Sequence, residues 1–131
     1  MIKQLSVFLE NRPGRLANLL DILERNNIRV LAMGIAEAGN YGIVRLILDK
    51  EGEALEVLRS SNMAVNETNV IIIGLNDLTS AVKILGNASI NIDYAYTMDC
   101  QKVVLKVSNE MEAMRVLSVA GIKVLSARDE Q

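Results

Sequence analysis

The sequence predicts an α+β fold built from two βαββαβ units in tandem, residues 1–69 and 70–131. Three observations carry this expectation. Runs of alternating apolar residues, the strand period, take turns with runs spaced three and four apart, the helix period. The same succession occurs twice in register. No Gly/Ser/Pro-rich linker separates the halves, so residues 66–70 form the only joint.

The repeat can be read residue by residue. Leu16, Leu19, Leu20 and Leu23 make one helical stripe, and Leu78, Ala81, Val82 and Leu85 repeat it 62 residues later. Ile28 and Val30 return as Ile90 and Ile92 at the same offset. A three-residue deletion in the next hairpin changes the offset to 59. Val44, Leu46 and Leu48 then match Val103, Leu105 and Val107, and Ala54, Val57 and Leu58 match Ala113, Val116 and Leu117. Two copies are too few for a solenoid.

Taken in order, alternation predicts a strand over Ile2–Leu9, and the leucine stripe a helix over Pro13–Asn26. Strands follow over Ile28–Glu37 and Tyr41–Leu48, joined by a Gly39-Asn40 turn. A helix over Glu51–Ser61 and a strand over Ala64–Thr68 complete the half. The second half gives strands over Val70–Leu75, Ile90–Met98, Lys102–Val107 and Lys123–Ala127, and helices over Asp77–Ala88 and Asn109–Ala120, the last stopped by Gly121. This order implies two ferredoxin-like antiparallel sheets, each with both helices on one face. Alternation sends Val30, Val44, Leu46 and Leu48 to the helix side of the first sheet, and Phe8, Leu31, Met33, Ile35, Ile43 and Ile47 to the other. That second set is too apolar for a solvated face. Either the two sheets of the chain cover each other or another copy does; a homo-oligomer, at least a dimer, is the expectation.

Composition removes whole classes of function. Half of the 131 residues are hydrophobic, with one Phe, three Tyr and no Trp, so platforms for stacking bases are scarce. A net charge of −2 with mixed signs leaves no footprint for nucleic acid or an anionic membrane. Without histidine there is no Ser-His or Cys-His catalysis and no His-ligated metal. Lone Cys100 makes neither an internal disulfide nor a thiolate zinc site, and reads as a reduced, mostly structural thiol of a cytoplasmic protein. The N-terminus does not read as a signal peptide, and the longest apolar run, Val70–Ile73, is strand-sized. Asp21, Glu24 and Glu56 sit at helix-surface spacing, and Tyr94 and Tyr96 share a strand face. No acid, base or nucleophile constellation emerges, so no enzyme, cofactor or metal centre is expected.

One segment carries chemistry. In Glu10-Asn11-Arg12-Pro13-Gly14-Arg15-Leu16, the only proline of the chain stands where a strand gives way to a helix. Proline suits the first helical position, and glycine lets a ligand approach the backbone. The amides of Gly14, Arg15 and Leu16 at a helix start suit a carboxylate. The same residues also serve a plain change of direction.

This turn, the leucine-rich helix and the strand Asn27-Ile28-Arg29-Val30 together resemble the ACT domain family, and the repeat resembles a freestanding tandem ACT protein. The resemblance is strongest over Phe8–Leu48 and is a matter of pattern in the second half. It implies a non-catalytic regulatory module that binds a small amino acid between ACT units and controls amino-acid metabolism. The alternative is an oligomerisation module, or a regulatory subunit of a biosynthetic enzyme without its own ligand. The family's ligand contacts map to the loop Asn11, Arg12, Pro13, Gly14, Arg15 and Leu16, and to an asparagine early in the second strand. That asparagine is Asn91 in the second half, whereas the first half has Arg29. The second-half loop, Gly74-Leu75-Asn76-Asp77-Leu78, lacks Arg-Pro-Gly. The departures are complementary, and imply one intact site, Asn11–Leu16 with Asn91. There the backbone amides take the carboxylate, and the Asn11 and Asn91 oxygens take the ammonium.

Overall fold

The structure, a computed structural model, describes residues 2–125. The elements run β1 (Ile2–Glu10), α1 (Arg15–Arg25), β2 (Val30–Ala38), β3 (Tyr41–Leu48), α2 (Glu51–Ser60), β4 (Ala64–Gly74), a 3-10 turn (Leu75–Asp77), α3 (Leu78–Asn87), β5 (Ile92–Met98), β6 (Lys102–Val107) and α4 (Glu110–Val119). They gather into two units, a first of Lys3–Thr68 and a second that takes Ile2 and the residues from Asn69 onward.

In the first unit the strands lie in the order β2-β3-β1-β4. β1 and β3 are antiparallel, with Leu5 opposite Leu46 and Val7 opposite Val44. Residues directly opposite point to the same face, so Leu5, Val7, Val44 and Leu46 form one apolar floor. Leu19, Ile22 and Leu23 of α1 and Ala54 and Leu58 of α2 pack on it. Both helices therefore cover one side, as the stripe spacing requires.

The second unit repeats this plan. β4, β6 and β5 are neighbours in that order, and Val124 bridges Ile73. Ile71, Ile73, Val103, Leu105 and Val107 face Ala81 and Leu85 of α3 and Ala113 and Leu117 of α4. Of the last expected strand, Lys123–Ala127, the bridge at Val124 and a bond from the Leu125 N–H to the Ile72 carbonyl (2.8 Å) are formed; residues 126 and 127 lie outside the described residues.

Several expectations are corrected. Ala64–Thr68 and Val70–Leu75 are not two strands but one, β4, which ends at Gly74 with Leu75 opening the 3-10 turn. Met33 and Ile35 are opposite Leu46 and Val44, which places them on the helix side of the sheet. A bulge between Val30 and Ala32 makes the difference, because one extra residue reverses every later side chain. They stay 40% and 56% exposed because β2 is an edge strand. The face away from the helices instead carries Ala32, Gly34 and Ala36 alongside Ile47, Arg45 and Ile43, with Phe8 opposite Ile43; Ala32 and Ile47 are buried there, and the face is open at Phe8. Cys100 is a free thiol, exposed in the β5–β6 turn at φ 62°, so it has no packing role in the core.

The registers also show where the repeat breaks. Val7 faces Val44 and Ile73 faces Val103, so Val7 and Ile73 hold equivalent places. Twelve residues then separate Val7 from buried Leu19, but eight separate Ile73 from buried Ala81. The stretch from strand core to helix core in the second unit is thus four residues shorter, through a shorter strand end, loop and first helical turn together.

Candidate functional site

The four extra residues of the first unit build its site. β1 runs to Glu10, and the Asn11 N–H donates to the Asn40 carbonyl at 2.8 Å, tying the loop to the β2–β3 turn. Gly14 caps α1 at φ 88°, a left-handed conformation that explains the glycine. Helix α1 begins at Arg15, so Pro13 precedes the cap and is not the first helical residue. The Arg15 amide donates to the Arg12 carbonyl at 3.3 Å and leaves the expected donor set. The Leu16 N–H, in the first helical turn, has no intrahelical acceptor.

Beneath this helix start is a cavity of ≈ 170 Å³, lined by Leu9, Glu10, Asn11, Arg12, Arg15, Leu16, Ile35, Gly42 and Val44. Four of the six expected loop residues, Asn11, Arg12, Arg15 and Leu16, meet there, while Pro13 and Gly14 shape the turn without lining it. Leu9, Leu16, Ile35 and Val44 supply an aliphatic wall. The polar groups gather at the loop end, where Glu10 pairs with Arg12 at 3.4 Å and with Arg15 at 3.3 Å. A second, larger hollow of ≈ 390 Å³ adjoins the same loop, lined by Glu10, Asn11 and Arg12 together with Gly39, Asn40 and Tyr41. Sequence reasoning missed Leu9, Glu10, Ile35, Gly42 and Val44 as lining residues. Gly42 was the available signal, since a glycine inside a strand weakens it unless something approaches closely.

Asn91 lies in the second unit, exposed, just before β5. Its Nδ2 donates to Asp93 Oδ1 at 2.9 Å, and Asp93 Oδ2 is 3.9 Å from Lys106 Nζ. With the amide held this way, Oδ1 is left as an acceptor, which suits an ammonium group. At the equivalent place in the first unit, Arg29 turns its Nε onto Asp49 Oδ2 at 3.3 Å. Burial pushes the Asp49 carboxyl up, but hydrogen bonds from the Arg29 amide and guanidinium outweigh it and hold the group below the ordinary carboxylate range.

One titratable pair stands outside this site. Glu51 is pushed up to about 7, first by burial and then by its hydrogen bond and repulsion with Glu67, against the pull of Lys3. Its Oε1 is buried without a partner. Glu67, which accepts from Glu51 and sits 3.5 Å from Lys3, is lowered. Residues so far apart in sequence gave no sign of this pairing. Tyr94 and Tyr96 stack with centroids 6.4 Å apart. Among the described residues, no group of three or more His, Cys, Asp or Glu could hold a metal ion, and no helix is long and apolar enough to cross a membrane.

Comparison with known proteins agrees with this architecture. The chain is similar to protein BT0572 from Bacteroides thetaiotaomicron, with 32% identity and a TM-score of 0.90 over 98% of this chain and 94% of that one. It also shares the fold of the regulatory subunit of aspartate kinase from Thermus thermophilus in its ligand-free form. There the identity is 16% and the TM-score 0.64, over 90% and 91% of the two chains. The corresponding subunit from Thermus flavus gives the same values. No curated protein matches the sequence. The family model for the ACT domain pair matches residues 1–120, and the chain, with its two units, cores and one elaborated loop, belongs to that family.

Proposed function

We propose that this ACT domain pair is a non-catalytic regulatory module that binds one small amino acid per chain. The loop Asn11–Leu16 and Asn91 would hold the ligand, and binding would control an enzyme of amino-acid metabolism in the cytoplasm. The observation that carries the reading is the cavity under α1, where Asn11, Arg12, Arg15 and Leu16 meet over an aliphatic wall. The Leu16 amide and the arginines are donors for a carboxylate, and the Asn11 and Asn91 oxygens are acceptors for an ammonium. The shared fold with regulatory subunits of aspartate kinase supports a regulatory role.

A second reading, an assembly module acting as a homodimer, is favoured by Phe8, 37% exposed on the open face of the first sheet. The two readings are compatible, since a ligand could act by biasing an assembly.

Isothermal titration of the intact protein against the common amino acids tests the ligand. One site per chain is expected, and Asn11→Ala should weaken it roughly ten- to a hundredfold, the cost of leaving a buried polar group unpaired. If no amino acid binds, the ligand reading falls and the assembly reading remains.

A further inference from the structure

We propose that the cavity beside Gly42 takes the side chain of the bound amino acid and selects an aliphatic one of up to leucine or methionine size. The inference rests on the preceding reading, in which the Asn11–Leu16 loop binds an amino acid, and adds which class of amino acid that is.

Three observations converge on it. The first is the size and lining of the space. At ≈ 170 Å³, and with liquid water occupying about 30 Å³ per molecule, it has room for roughly five or six heavy atoms. Leucine, isoleucine, valine and methionine side chains fit within it, whereas the larger rings of phenylalanine, tyrosine and tryptophan exceed it and leave part of the ring in water. The wall away from the loop is Leu9, Leu16, Ile35 and Val44. Against that wall the charged end of aspartate, glutamate or lysine gains no partner, since Glu10, Arg12 and Arg15 stand at the loop end and are paired with one another.

The second observation is Gly42. It is the second residue of β3, paired with Leu9 on one side and Glu37 on the other. Its backbone is not left-handed, and a Cβ built there would come no closer than 3.9 Å to any neighbour, the Ala36 carbonyl oxygen. Neither conformation nor packing within the protein calls for glycine. What glycine leaves is open space on the cavity side of β3.

The third is Ile35. It faces the cavity from the edge strand, opposite Val44, and is 56% exposed. The equivalent position in the second unit, opposite Val103, is Thr97. The unit with the long loop has an exposed isoleucine there, and the unit without the loop has a polar residue. An apolar side chain left open to water beside the loop is accounted for if a ligand covers it.

Titration of the intact protein with alanine, leucine, glutamate, lysine and phenylalanine tests the assignment, using the parent, Gly42→Val and Ile35→Thr. The parent should bind leucine at least tenfold more tightly than glutamate, lysine or phenylalanine. Gly42→Val should weaken leucine more than tenfold while sparing alanine, whose single methyl does not reach β3. Ile35→Thr, at an exposed position, should weaken leucine about tenfold, the scale of a few lost methyl contacts. Melting curves without ligand check the fold of each variant; if Gly42→Val does not fold, Gly42→Ala with Ile35→Thr carries the test. Preference of the parent for a charged or aromatic amino acid, or unchanged leucine affinity in both folded variants, overturns the aliphatic assignment and leaves amino-acid binding standing. Loss of alanine to the same degree as leucine overturns it equally. Absence of binding to every amino acid overturns both.

Discussion

Asn91 and Ser108 exchange two hydrogen bonds, from the Asn91 N–H to Ser108 Oγ at 3.0 Å and from the Ser108 N–H to the Asn91 carbonyl at 2.9 Å. Arg29 and Asp49 make the same exchange in the first unit, at 2.8 and 3.2 Å. The backbone clasp at the start of the second strand is thus common to both units. The two differ in the side chain above it. The Arg29 guanidinium returns to the clasp's own carboxylate, whereas the Asn91 amide keeps a free oxygen.

From this difference, Asn91→Ala should weaken amino-acid binding roughly ten- to a hundredfold. Arg29→Ala should change it less than threefold, because Arg29 is spent on Asp49 and the unit-two loop lacks the Arg-Pro-Gly turn. Equal losses in isothermal titration would refute the single-site asymmetry.

The open face of the first sheet should be covered by a second copy. Light scattering at micromolar concentration should report at least a dimer, and Phe8→Lys should shift it toward monomer by placing a charge beside Ile43. Met33→Lys should not, since the bulge puts Met33 on the helix side. A monomeric parent protein would end this idea.

Glu51 should make stability fall with rising pH. Its folded-state pKa, about 7, exceeds the ordinary 4.5, so the folded protein retains a proton that the unfolded chain releases. The penalty grows from about pH 4.5 and is complete above pH 7. Glu67, lowered by the same hydrogen bond, contributes with the opposite sign and loses its contribution as acid protonates it. Glu51→Gln should therefore stabilise the protein at pH 8 by about 1 kcal/mol, after allowance for solvent screening, and have little effect at pH 5. Thermal melts at the two pH values decide it; an equal gain at both would show that charge is not the cause.

Among the helices, α4 carries a side-chain cap, with Asn109 Oδ1 accepting from the Glu112 N–H at 3.1 Å. Asn109→Ala should cost about 1 kcal/mol in denaturant unfolding. Lys50, its counterpart before α2, makes no cap bond and donates Nζ to the Asn27 carbonyl at 3.0 Å on the surface, so Lys50→Ala should cost less than Asn109→Ala.

The helices and most strands were legible because Leu19, Leu23, Ala81 and Leu85 repeat a pattern that only a one-sided helix satisfies. The facing of β2 was not, because a bulge is fixed by pairing with β3 and leaves no local mark around Leu31. The shortened connection was hidden because Val70-Ile71-Ile72-Ile73 is apolar throughout and carries no phase to align against β1. In the site, Asn11 through Leu16 stood out through a lone proline and a glycine. The cavity wall did not, since Ile35 and Val44 look like ordinary strand residues until the register brings them under α1.

The four-residue difference between the two strand-to-helix stretches also gives the molecule its own internal standard. Helices α1 and α3 hold equivalent places in the two units, one after the Asn11–Gly14 loop and one after the shorter 3-10 turn. In a titration followed by heteronuclear NMR, ligand capture should displace the signals of Leu16 to Leu23, while those of Leu78 to Leu85 register only bulk effects of salt, pH or temperature. Subtracting one set from the other isolates the binding event within a single sample.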